Sequence, residues 1–163
     1  MQKLKIVPIT TTLAEAVRST MRAPVYGFTA QRETAAGRAP CRHCLQLIRP
    51  GDEDLILFTY DAFHGQGVPP MPGPVYIHAE ACATFAGNGE IPQTYRGQPL
   101  TFEAFGENRK RLGERLTHEA DPDAALQELF QNCEVKYVHA RSTTAGCYLF
   151  RMERAESGEP AGA

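Results

Sequence analysis

The chain has 163 residues, 42% of them hydrophobic, and a formal net charge of -2 at pH 7. That length buries a hydrophobic core without disulfides, and the charge balance argues against a dedicated nucleic-acid binder, which would be basic. No apolar run is long enough to span a membrane, and MQKLKIVPIT at the N-terminus lacks the apolar core and cleavage site of a signal peptide. The expected compartment is therefore the cytoplasm, where thiols stay reduced. Cys41, Cys44, Cys82, Cys133 and Cys147 accordingly suggest metal binding or chemistry over disulfides.

Leu4–Ile9 is short, apolar and β-branched, so it reads as a first strand. Thr12 and Glu15 have capping-box spacing, which predicts a helix over Leu13–Thr20. Val25–Thr29 reads as a second strand and Thr34–Pro40 as a loop. Cys41–Ile48 is one helical turn or a metal knuckle, broken by Pro50-Gly51-Asp52. LILFTY, at Leu55–Tyr60, is the best central strand. The Gly- and Pro-rich stretch His64–Pro74 is an irregular loop, and Val75–Ile77 ends a strand.

His78–Phe85 is expected to begin a helix that Gly87-Asn88-Gly89 stops. Pro92–Gly106 is irregular with one strand. Asn108–Thr117 and Pro122–Asn132 read as helices, the second started by Asp121-Pro122. Arg109-Lys110-Arg111, beside Glu107 and Glu114, reads as a solvated helix face. Val135–Arg141 and Cys147–Arg154 form a terminal hairpin across Ser142–Gly146, and Glu156–Ala163 is a disordered tail. These elements predict a single α+β domain over residues 1–155, with a mostly antiparallel sheet, a few short helices and a zinc-knuckle-like insertion.

The chemistry concentrates in PCRHC, at Pro40–Cys44, and GPVYIHAEAC, at Gly73–Cys82. A C-x-x-C pair lets one tight turn aim two sulfurs at one point. His78 and Cys82, four apart, share a face if their segment is helical. Zinc prefers thiolate and imidazole, and structural sites take four such ligands in a tetrahedron. Cys41, Cys44, His78 and Cys82 are therefore the expected ligands of a structural zinc. The knuckle CRHCLQLIRPGDE resembles that of treble-clef zinc modules, though those complete the site with H-x-x-C and this chain has H-x-x-x-C.

Three other readings compete. The thiols can be plain buried hydrophobes or a redox pair, but Pro50-Gly51 cuts short the long helix that a thioredoxin-like motif opens. Zinc deaminases use H-x-E with P-C-x-x-C, and both halves occur here in reversed order, with Glu80 as the candidate acid/base. Cys82 then stands against a zinc-dependent hydrolase or deaminase, because it offers a fourth protein ligand where water must bind. A third class is a protein- or ligand-binding module with incidental metal or free thiols, working through the His64–Pro74 loop. His43, His64, His139, Cys133 and Cys147 are weaker candidates, for which packing or exposure is the simpler role. Nothing in the chain identifies a substrate or a protein partner.

PCRHCLQLIRPGDEDLILFTYDAF, GPVYIHAEAC and the ending VKYVHARSTTAGCYLFRMERA together resemble domain of unknown function family 1203. The resemblance runs from the first strand to the last hairpin. It implies a small, single-domain bacterial protein and carries over no activity, cofactor or site residue.

Overall fold

The computed structural model describes residues 1–118 and 121–156. The tail expected at 156–163 lies outside them, apart from Glu156. Among the described residues every strand pairing is antiparallel and two α-helices accompany the sheets, so the chain is α+β. The chain groups into two compact units. One comprises Pro8–His64 and Pro69–Phe85; the other comprises Met1–Val7, Gly65–Val68 and the chain from Ala86 onward.

The first unit carries both halves of the cysteine–histidine pattern. Its central strand, β5 (Asp54–Asp61), lies between β2 (Gln31–Thr34) and β6 (Pro72–His78). Helix α1 (Thr11–Thr20) begins two residues before the capping box predicts. Thr10 is the cap, its hydroxyl accepting from the Leu13 N–H at 3.2 Å. Ala14 and Val17 face inward from α1, toward a core of Ile9, Ile48, Leu55, Ile56, Phe58, Val75 and Ile77. Each such aliphatic or aromatic side chain contributes roughly 1.5–3 kcal/mol by leaving water. The strand expected at Val25–Thr29 is instead a turn, closed by a bridge between Arg22 and Thr29. Val25 and Gly27 there take left-handed φ of +70°, which no strand accommodates.

The second unit is a five-stranded sheet, in the order β1 (Leu4–Val7), β10 (Tyr148–Arg154), β9 (Tyr137–Ser142), β7 (Leu100–Phe105) and β8 (Arg111–Thr117). Register sets Ile6 against Met152, Met152 against Val138 and Val138 against Ala104. This buried row crosses four strands on one face. Helix α2 (Pro122–Leu129), capped by Asp121, packs against β7 and β8. The terminal hairpin forms as expected.

The helix predicted over Asn108–Thr117 is not a helix. Asn108 and Arg109 take left-handed φ of 54° and 61°, which turns the chain back along β7 and makes Arg111–Thr117 an edge strand. Gly113 inside the segment weakens a helix further. The basic cluster accordingly sits on a hairpin, where Arg111 pairs with Glu103 and Glu114.

Candidate metal centre

The first half of the site is a knuckle between two very short strands. β3 (Ala39–Pro40) and β4 (Leu47–Ile48) pair antiparallel, and the chain reverses between them. The Cys41 N–H donates to the Gln46 carbonyl and the Leu45 N–H to the Cys41 carbonyl, both at 2.9 Å. Closing this turn places Leu45 at φ +58°, a left-handed conformation that costs a non-glycine residue on the order of 1–3 kcal/mol. Complete burial of the Leu45 side chain offsets part of that cost. Cys41 and Cys44 are both buried here.

The second half comes from the end of β6. The helix expected from His78 does not form. The ladder with β5 runs one residue further, the Ala79 N–H donating to the Asp54 carbonyl at 3.0 Å, and the chain then bends at Ala79–Glu80. Residues 81–85 have no regular structure, and the Phe85 N–H is tied to the His43 carbonyl at 3.0 Å. His78 and Cys82 therefore meet the knuckle through a bend, not through a shared helix face.

The Sγ atoms of Cys41, Cys44 and Cys82 and a ring nitrogen of His78 all lie within 4.8 Å of one another. Cys41 Sγ is 3.9 Å from Cys82 Sγ, and Cys44 Sγ is 3.4 Å from His78 Nδ1. Tetrahedral bonds of about 2.3 Å to sulfur and about 2.05 Å to nitrogen give edges of roughly 3.8 and 3.6 Å, close to both separations. His78 Nδ1 faces the sulfurs while Nε2 lies 3.3 Å from Glu53 Oε2. A carboxylate on the far nitrogen fixes the tautomer that leaves the near nitrogen free to ligate.

The electrostatics suit a cation. Hydrogen bonds from Cys44 and then Cys82 hold the Cys41 thiol far below its ordinary range. The same contacts with Cys41 push the Cys44 and Cys82 thiols up. The hydrogen bond to Cys41 raises the pKa of the His78 imidazole. A divalent ion would displace the remaining protons, since thiolate and neutral imidazole are the ligating forms.

Three residues that the spacing did not reveal as part of the site surround it. Arg18, on the last turn of α1, reaches Cys82 Sγ at 3.4 Å and the His78 carbonyl at 3.0 Å. Glu53, in the turn between β4 and β5, backs His78. His43, weighed as a spare ligand, instead places Nδ1 3.2 Å from Cys82 Sγ and Nε2 2.9 Å from Thr11 Oγ1. Burial lowers the His43 pKa. With Cys82 as a thiolate, Nδ1–H would donate to the sulfur and Nε2 would accept from the Thr11 hydroxyl. Only Glu53 left a local signal, standing in the turn that follows β4, nine residues after Cys44.

The other candidates lie elsewhere. Glu80 is 82% exposed at its side chain and pairs with Arg32 at 2.8 Å. His64 lines a shallow hollow with Tyr26, Tyr60 and Asp61. His139 is fully buried among the rings of Phe105, Tyr137 and Tyr148. Its register partners are Arg151 on β10 and Glu103 on β7, so Cys147 does not face it across the hairpin. Cys133 is exposed and Cys147 half-buried. Among the described residues, no helix is long and apolar enough to cross a membrane.

The fold and these side chains define an α+β protein with a Cys3His cluster that could hold a metal ion. The chain belongs to the family of proteins of unknown function DUF1203, whose model matches residues 38–154. That stretch takes in the knuckle and both ligand pairs but starts after α1, so Arg18 falls outside it. No curated protein and no solved structure matches the chain significantly.

Proposed function

We propose that Cys41, Cys44, His78 and Cys82 bind a structural zinc ion in a cytoplasmic bacterial protein. The observation that carries the reading is the mutual approach of four ligand atoms within 4.8 Å, at separations that fit a tetrahedron. Three soft sulfurs with one imidazole favour zinc over magnesium, calcium or manganese, which prefer oxygen. The ion would join the β3–β4 knuckle to the bend after β6, cross-linking segments some forty residues apart. A fourth protein ligand leaves no position for an activated water, and Glu80 is engaged by Arg32. Both observations favour a structural over a hydrolytic role. Metal analysis of protein purified without added zinc tests the reading. Near-stoichiometric zinc is expected, and protein carrying less than about a tenth of an equivalent of any transition metal would refute it.

A further inference from the structure

We infer that Arg18 is the positioning residue of this site, a clamp from α1 that holds the His78–Cys82 segment and shields the Cys82 sulfur. The inference rests on the zinc reading and extends it to a residue that ligates nothing. Its starting point is the missing helix. A helical His78–Cys82 segment would hold both ligands through its own backbone bonds. Here the chain bends at Ala79–Glu80 and then runs without regular structure. Something outside the segment must therefore fix the fourth ligand.

Arg18 does so with two atoms of one guanidinium. Nε donates to the His78 carbonyl at 3.0 Å and Nη2 to Cys82 Sγ at 3.4 Å, so both ends of the bend are gripped at once. The planar fork makes this possible, because one rigid group presents two donors in fixed directions. His43 Nδ1 lies 3.2 Å from Cys82 Sγ, a third donor once the sulfur is a thiolate, and the ring is itself oriented by Thr11 from the first turn of α1. Helix α1 thus supplies a brace at each end to the same sulfur.

Charge gives the second argument. Three thiolates, a neutral imidazole and a divalent ion leave a net charge of -1, and Arg18 is the cation in contact with the thiolate. Donors to a metal-bound thiolate withdraw electron density from sulfur, which lowers its reactivity toward electrophiles. Arg18 therefore makes Cys82, the half-buried ligand on the least regular segment, behave as an inert structural thiolate.

The test uses the full chain loaded with zinc or with cobalt(II). Groups behind metal ligands change affinity about 10–100-fold when removed. Arg18→Met, which keeps the aliphatic stem, should weaken zinc binding by that factor against a competing chelator. It should also speed alkylation of Cys82 by iodoacetamide at least about tenfold, followed site by site by mass spectrometry, and shift the thiolate-to-cobalt charge-transfer band to lower energy. Arg18→Lys keeps the charge but cannot grip both atoms, so it should fall between wild type and Arg18→Met. Should Arg18→Met fail to fold, Arg18→Lys carries the same three measurements. Wild-type affinity, alkylation rate and band position in these variants would overturn the clamp while leaving the zinc site intact. A wild-type chain that binds no zinc would overturn the zinc reading first, and the clamp with it.

Discussion

Cys44→Ser separates a metal ligand from a packed thiol. Cys44 lies in the buried knuckle with its sulfur 3.4 Å from His78 Nδ1, so serine fills nearly the same space while removing a soft ligand. With free zinc at 1,000 times Kd, binding stabilises the folded wild type by about 4 kcal/mol. Losing one of four ligands should weaken affinity at least ~100-fold, which removes about 2.8 kcal/mol of that linkage. At roughly 2–4 °C per kcal/mol for a chain of this size, Tm should fall by about 6–11 °C in zinc. In excess chelator the linkage vanishes from both proteins. Only the exchange of thiol for hydroxyl remains, about 1 kcal/mol or less. Thermal unfolding of both proteins, with zinc and with chelator, gives four midpoints. The reasoning fails if the wild-type midpoint ignores chelator, or if the serine variant's deficit is the same under both conditions.

Two predictions concern the five-stranded unit. Burial, with help from Arg141, Arg151 and Arg109, lowers the His139 pKa from 6.5 to about 3. The folded state thus binds fewer protons than the unfolded state between those values, so stability contributed by neutral His139 is lost as pH falls through that window. The unfolding free energy of wild type should drop by up to about 1.4 kcal/mol more per pH unit than that of His139→Phe, measured by denaturant titration from pH 6 to pH 4; parallel pH profiles would contradict this. Gly89 sits at φ +85°, and a Cβ there would lie 2.0 Å from the Leu4 carbonyl oxygen. Gly89→Ala should cost at least about 2 kcal/mol through strain and displacement of β1, and an unchanged urea midpoint would refute the contact.

Much of the site was legible because its grammar is local. A C-x-x-C turn needs only six residues to aim two sulfurs, and the knuckle closes with bonds inside Cys41–Gln46. The central strand β5 and helix α2 were legible for the same kind of reason, an apolar run in one and a capped amphipathic face in the other. The helix expected after His78 was not there, because β5 offered the Ala79 N–H a ladder partner that local pattern cannot represent. Arg111–Thr117 likewise became a strand because β7 lay ready to pair with it.

The sequence by itself determined which atoms are available to a metal: three sulfurs and one imidazole, in two pairs of chelating spacing. It also determined the α+β class, since the strand-forming runs and the capped segments are properties of short windows. Tertiary structure alone decided that the second pair meets the first through a bend, that Glu53 orients His78, and that Arg18 reaches Cys82 from sixty-four residues away. The physical reason is range. Capping, turn chemistry and periodicity act over a few residues, whereas ladder pairing and side-chain hydrogen bonds are settled only when distant segments pack together.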